Sequence, residues 1–258
     1  GAGEAGEVRL VTPKTGADHT AAMTAWARRR VEELAGCDLS GYVLKKGSPS
    51  CGLERVRIYG EAGRPTRPGR GLFAAALAER FPDLPVEEEG RLNDPGLREA
   101  FLERVFAHRR VTDFFADPGW TNGGLVAFHT AQKLTLMGHA PARAREIGRL
   151  VAAVADRPRA EFEADYRRLF LAILAEPVTP GRHVNVLQHM MGYFKDLLDG
   201  PARADINGVI DDYRAGFVPL VVPVTLIRHH VRRLGVDYLA GQSYLEPGPK
   251  ELMAVSTG

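Results

Sequence analysis

A cysteine lies in the run Ser48-Pro49-Ser50-Cys51-Gly52. Ser, Pro and Gly around a thiol make a tight, polar turn with free backbone N–H groups. Such a turn suits a sulfur that binds something, whereas most free cysteines simply fill a core. Cys37, in Ala35-Gly36-Cys37-Asp38, follows a helix and has no ligand-like spacing to Cys51, so it reads as structural. A second chemistry is phosphate contact. Arg228-His229-His230-Val231-Arg232-Arg233 is the densest basic stretch. At helical spacing Arg228 and Arg232 share one stripe, and His229 and Arg233 another. Arginine pairs bidentately with phosphate; the bland alternative is a solvated helix face. Arg104, His108, Arg109 and Arg110 form a second basic patch, and Arg143, Arg145 and Arg149 a third.

The histidines are less explicit. His129 and Lys133 are i,i+4 neighbours in Phe128-His129-Thr130-Ala131-Gln132-Lys133, and His139 follows. His183, Asn185 and His189 cluster further on. None has the spacing of a zinc motif such as His-Glu-x-x-His. The acidic run Glu87-Glu88-Glu89, ahead of Gly90-Arg91-Leu92, either holds a general base or is a solvated linker that pairs with basic helices.

The elements that must position these groups follow from periodicity. Gly41-Tyr42-Val43-Leu44 is a strand, which sets Cys51 at a strand's carboxyl end, where open α/β sheets place ligands. Val8-Arg9-Leu10-Val11 predicts another short strand. Asp18 caps a helix over residues 19–35, with Met23, Trp26, Ala27, Arg30, Val31 and Leu34 at helical spacing. Val56-Arg57-Ile58-Tyr59 alternates as a strand does. Pro65, Pro68, Gly69 and Gly71 mark a loop; residues 72–80 form a short helix and 84–86 a last strand. This alternation predicts a parallel sheet.

Prolines, glycines and the acidic run crowd residues 82–96, and the character changes there. Residues 97–116, 121–139, 142–155, 159–175, 183–199, 203–214 and 223–234 all carry helical apolar spacing, punctuated by Pro141, Pro158, Pro177, Pro180, Pro201 and Pro223. The predicted fold is an incomplete, Rossmann-like α/β domain over residues 1–92, then an all-α domain over residues 93–258.

With 258 residues, 45% of them apolar, the chain can bury a substantial core. A net charge of +2 does not by itself mark a nucleic-acid binder, so any basic surface is local. Two cysteines form no disulfide scaffold, and the expected compartment is the reducing cytoplasm. No apolar run reaches the ~18 residues of a membrane span, and no signal peptide opens the chain.

The stretch from Gly41 to Gly52 resembles the thiouracil desulfidase family around its third cluster-binding cysteine. Gly16-Ala17-Asp18-His19-Thr20 and Pro68-Gly69-Arg70-Gly71 fit the same domain, and Pro85-Val86-Glu87-Glu88-Glu89-Gly90-Arg91-Leu92 resembles its exit in fused members. The helical part is similar to the domain fused to it in RNA 4-thiouridine desulfidases, through Phe128-His129-Thr130-Ala131-Gln132-Lys133, His139, residues 213–220 and residues 238–245.

The resemblance implies a 4Fe–4S enzyme in which three cysteines hold the cluster and an open iron takes the sulfur of a thiocarbonyl base. Water replaces that sulfur without net redox. The implied substrate is 4-thiouridine in tRNA, or another thiolated RNA, returned to uridine. Cys51 carries over as a metal ligand, and Ser48 and Ser50 as catalytic hydrogen-bonding residues. RNA contact is expected from His129, Lys133, His139, Arg228, His229, Arg232 and Arg233. The other two ligand cysteines, and the acid that helps the water, belong upstream of Val8 and are not in this sequence, and Cys37 matches neither. A preceding segment is therefore expected. Two alternatives stand beside this reading: an RNA-binding helical module with a catalytically incomplete remnant, and a desulfidase of free thiolated bases.

Overall fold

The computed structural model of the chain describes residues 8–59, 65–249 and 252; the glycine-rich opening at residues 1–6 lies outside these. Backbone packing divides the chain into two compact units, Gly1–His108 and Arg109–Gly258. The division falls inside helix α3 (Pro95–Ala116), which begins just after the change in composition.

The first unit is α/β. It contains α1 (Thr20–Ala35), β1 (Tyr42–Leu44), β2 (Val56–Tyr59), β3 (Pro65–Gly69), α2 (Leu72–Arg80) and β4 (Val86–Glu88). The apolar residues of α1 recur at helical spacing, so Ala27, Val31 and Leu34 are buried on one face. They pack with Leu44 of β1 and with Phe73, Ala74 and Leu77 of α2. Burial of each Val, Leu or Phe among them contributes about 1.5–3 kcal/mol. β1 pairs in parallel with β4, Tyr42 opposite Val86 and Leu44 opposite Glu88.

Four local expectations are corrected. Residues 8–11 do not form a strand; Val11 makes only an isolated bridge to Asp18. Residues 65–69 are not a loop but β3, paired antiparallel with β2, because the prolines sit on a two-stranded edge where a missing N–H is tolerated. The strands therefore form two separate two-stranded sheets, of which only β1–β4 is parallel. Asp18 also acts one residue earlier than a standard cap. Its carboxylate accepts from the Thr20 amide at 2.9 Å and the Thr20 hydroxyl at 2.6 Å.

The second unit is all-helical. After the end of α3 it runs through α4 (Asn122–His139), α5 (Pro141–Ala152), α6 (Arg159–Leu174), α7 (Pro180–Met191), α8 (Gly200–Arg214), α9 (Val221–Leu234) and the single turn α10 (Asp237–Ala240). The starts are chemically specified. Thr121 caps α4 and Asp199 caps α8 by accepting from Gly124 at 3.0 Å and Ala202 at 2.8 Å. Pro141 and Pro180 occupy the first turns of α5 and α7, where an N–H has no helical partner. Gly235, at φ +66°, ends α9 in the left-handed region. The α7 helix stops at Met191, well short of the predicted residue 199, and a 3₁₀ turn over Gly192–Phe194 follows it.

Two groups of side chains fill this unit. Val186, Leu187, Met190, Phe194, Ile206, Ile210, Ile227 and Leu239 are buried together. A separate aromatic group joins Phe114, Phe115, Trp120, Phe128, Phe162, Tyr166 and Phe170, with the rings of Tyr166 and Phe170 stacked at 5.9 Å. No helix among the described residues is long and apolar enough to cross a membrane.

Candidate functional site

The cysteine turn is built by hydrogen bonds internal to the first unit. Gly47, at φ +64°, reverses the chain after β1. Ser48 Oγ then accepts from the amides of Ser50 and Cys51, both at 3.3 Å, and Ser48 O accepts from Gly52 at 2.7 Å. Ser48 Oγ lies 3.0 Å from Ser50 Oγ, which lies 3.3 Å from Cys51 Sγ. With its lone pairs engaged by two amides, the Ser48 hydroxyl donates to Ser50. The Ser50 hydrogen is then left to point at the sulfur. Both serines predicted for the site thus meet the predicted cysteine in one chain of polar atoms. The Cys51 side chain is half-buried and leans on the apolar core.

The turn is anchored on a helix end. The α2 helix has no side-chain cap; the carbonyl of Ser50 instead accepts from Phe73 at 2.9 Å and Ala74 at 3.2 Å. This docking requires close approach. A Cβ on Gly71 would stand 2.3 Å from the carbonyl carbon and oxygen of Ser50 and 2.7 Å from the Cys51 nitrogen. Only glycine fits there, for reasons of space rather than backbone angle.

The acidic run supplies the other anchors. Glu88 is buried, and its Oε1 accepts from the Leu53 amide at 2.9 Å. Glu89 Oε2 accepts from the Lys46 amide at 2.6 Å. The two carboxylates grip the chain on either side of the cysteine turn, Lys46 before it and Leu53 after it. Glu87 pairs with Arg91 at 2.8 Å. Sequence reasoning offered this run as a base or a linker and missed its clamping role. The signal available was its position, since a strand parallel to β1 must end beside β1's own carboxyl end.

A cluster held by three thiolates does not fit the residues present. The chain has two cysteines. Cys37 is exposed, and its thiol donates to the Glu33 carbonyl at 3.6 Å. Among the described residues no three His, Cys, Asp or Glu side chains form a metal-holding group.

In the helical unit the candidate RNA-contacting residues fall into different settings. Lys133 and His229 are exposed. His139 is buried and its Nδ1–H donates to the Glu176 carbonyl at 2.7 Å, so its ring ties α4 to the end of α6. His129 is half-buried, 3.2 Å from the Tyr166 hydroxyl. Burial, with the charge of Lys133 beside it, pushes its pKa down to about 4. Arg228 and Arg232 share one acid, Glu246, at 3.7 Å and 2.5 Å. Arg233 is exposed on the same helix. In the other basic patches, Arg110 donates to the Pro247 carbonyl at 2.7 Å, Arg109 pairs with Asp113, and Arg143 pairs with Glu176 at 3.0 Å.

The comparisons with known proteins divide the chain in the same sense. A family model described as 2-thiouracil desulfurase matches residues 2–89, and one described as a protein of unknown function, DUF1722, matches residues 133–249. The chain thus joins a desulfurase-like α/β domain to a DUF1722 helical region. An Escherichia coli (strain K12) protein described as uncharacterized protein YbgA is 31% identical over 153 residues, covering 59% of this chain and 90% of that protein. The chain belongs to the same family as that protein. No solved structure matches.

Replacement of Gly71 by Ala is expected to lower the stability of the first unit by about 2 kcal/mol, the cost of overpacking against backbone, as read from denaturant unfolding. Glu88→Ala should cost about 1–3 kcal/mol by orphaning the Leu53 amide, and Glu88→Gln much less because it keeps an acceptor. The pH dependence has a defined sign. Because the folded pKa of His129 lies below its unfolded value of 6.5, the stabilising contribution is full above pH 6.5 and is lost as pH falls towards about 4. His129→Gln, which cannot titrate, should flatten this part of a thermal-unfolding profile measured between pH 7 and pH 4.

Proposed function

We propose that this protein removes sulfur from a thiolated uracil base carried in RNA, with 4-thiouridine in tRNA returned to uridine. The observation that carries the reading is the Ser48–Ser50–Cys51 arrangement, built on the end of α2 inside the segment matched by the 2-thiouracil desulfurase model. A half-buried thiol, two hydroxyls in contact and a rigid backbone suit recognition of a soft, weakly polar thiocarbonyl.

The reaction is an exchange without electron transfer. Water adds to the thiocarbonyl carbon, a C–O bond forms, the C–S bond breaks, and the two water protons leave with sulfur as hydrogen sulfide. Polar groups that hold the sulfur favour its departure. In this reading the Cys51 thiol and the Ser50 hydroxyl, whose hydrogen turns from Cys51 Sγ to the substrate, hold the departing sulfur, while Ser48 orients Ser50. The 4Fe–4S cluster implied by the family resemblance would use Cys51 as one ligand. The chain's two cysteines do not complete such a site, so no step is assigned to it.

The helical region supports an RNA rather than a free base as substrate, since a small base needs no second unit of this size. The exposed cations of this region, Lys133, Arg145, Arg149 and Arg233 among them, support the RNA reading.

The test is conversion of 4-thiouridine in tRNA, followed anaerobically by mass analysis of the digested nucleosides. The parent should yield uridine, and Cys51→Ala should lose at least about 100-fold in rate, the scale for removal of a group acting in the transition state. A parent that leaves 4-thiouridine intact, or a Cys51→Ala variant as active as the parent, contradicts the proposal. Free 2-thiouracil run in parallel separates base from RNA substrate.

A further inference from the structure

We propose that a notch between α4 and α5, formed at His129 and Gly148 and flanked by Lys133, Arg145 and Arg149, seats a backbone phosphate of the RNA. The inference rests on the RNA reading above and gives it a specific seat.

Tyr166 is fully buried, and burial raises its pKa, so it keeps its proton. Its hydroxyl lies 3.2 Å from His129 Nδ1. A buried hydroxyl hydrogen needs an acceptor, and among the described residues the Tyr166 hydroxyl has no other hydrogen-bond partner. The phenol therefore donates to Nδ1, which fixes the imidazole hydrogen on Nε2. That Nε2–H faces α5 at Gly148. A Cβ there would stand 3.9 Å from Nε2 and meet no other atom within 4 Å. Glycine within a helix weakens it, and here it leaves the imidazole N–H uncovered.

The surroundings are cationic. Lys133 lies one turn after His129 on α4. Arg145 lies one turn before Gly148 on α5, and Arg149 one turn after Arg145. All three are exposed, and none makes an ion pair among the described residues. Glu146, exposed on α5, pairs with none of them. Five other arginines of the helical unit are occupied: Arg143 by Glu176, Arg157 and Arg168 by Asp165, Arg228 and Arg232 by Glu246. His129 stays neutral at physiological pH. A neutral N–H donor beside a helical glycine, with unneutralised cations on the adjoining turns, matches a phosphodiester, whose oxygens accept hydrogen bonds and whose charge releases counterions on binding.

The test is tRNA binding by the full chain, measured by fluorescence anisotropy over a salt series. Substitution of Lys133, Arg145 and Arg149 together by Ala should weaken binding at least about 30-fold near physiological salt and reduce the log–log salt slope by about 2–3. Gly148→Ala should fold with the parent's melting temperature or higher, since its Cβ meets only ordinary contact, yet bind about 5-fold or more weakly by covering Nε2–H. If the parent binds tRNA and both variants keep its affinity and slope, the notch is not the seat, while the RNA reading stands. If the parent shows no salt-dependent tRNA binding, the RNA reading falls and the notch with it.

Discussion

One carbonyl organises the first unit. Ser50 O receives the amides of Phe73 and Ala74, so the end of α2 is closed by the loop that carries the thiol rather than by a side chain of its own. A helix end buried without partners is costly, and a loop held by fewer contacts does not present a thiol in a fixed direction. Each solves the other's problem. Gly71 follows as a requirement, because the two backbones approach within a distance that excludes a Cβ. The Ser48 hydroxyl, locked by two amides, then passes its own hydrogen to Ser50 and leaves Ser50 facing sulfur.

The parallel pairing of β1 and β4 extends this logic. It brings the end of β4 beside the start of the cysteine turn, so Glu88 and Glu89 reach Leu53 and Lys46 on its two flanks. Carboxylates make strong acceptors for backbone amides. A run of three acids, ambiguous as sequence, becomes a clamp once the pairing is known.

Much of this was legible in the sequence. The helix over Leu72–Arg80 and the helices of the second unit followed from apolar spacing and proline punctuation. The Cys51 turn was legible because Ser, Pro and Gly have strong local preferences. What was not legible depended on partners remote in sequence. The strand β3 looked like a loop because prolines disguise edge strands, although its partner β2 was legible. The environments of the histidines were hidden too: His139 is buried and tied to Glu176, and His129 meets the hydroxyl of Tyr166, a residue 37 positions away. The α9 stripe looked like the strongest basic surface, but Glu246 lies beyond its end and returns to pair with Arg228 and Arg232. Surface charge is decided by such tertiary pairings, which residue counts do not contain.

A thiolated base that loses its sulfur to this protein must meet the Ser48-Pro49-Ser50-Cys51-Gly52 turn. The thiocarbonyl of 4-thiouridine bonds covalently to groups in contact with it under near-ultraviolet light, so placement can be read independently of turnover. Irradiation of the full chain with 4-thiouridine-containing tRNA, followed by mass spectrometry of the linked peptides, tests it directly. The account predicts that the modified nucleotide is linked to the peptide carrying Cys51 and that Cys51→Ala reduces that linkage. Linkage found only on peptides of the helical unit, with the Cys51 peptide unmodified, would contradict it.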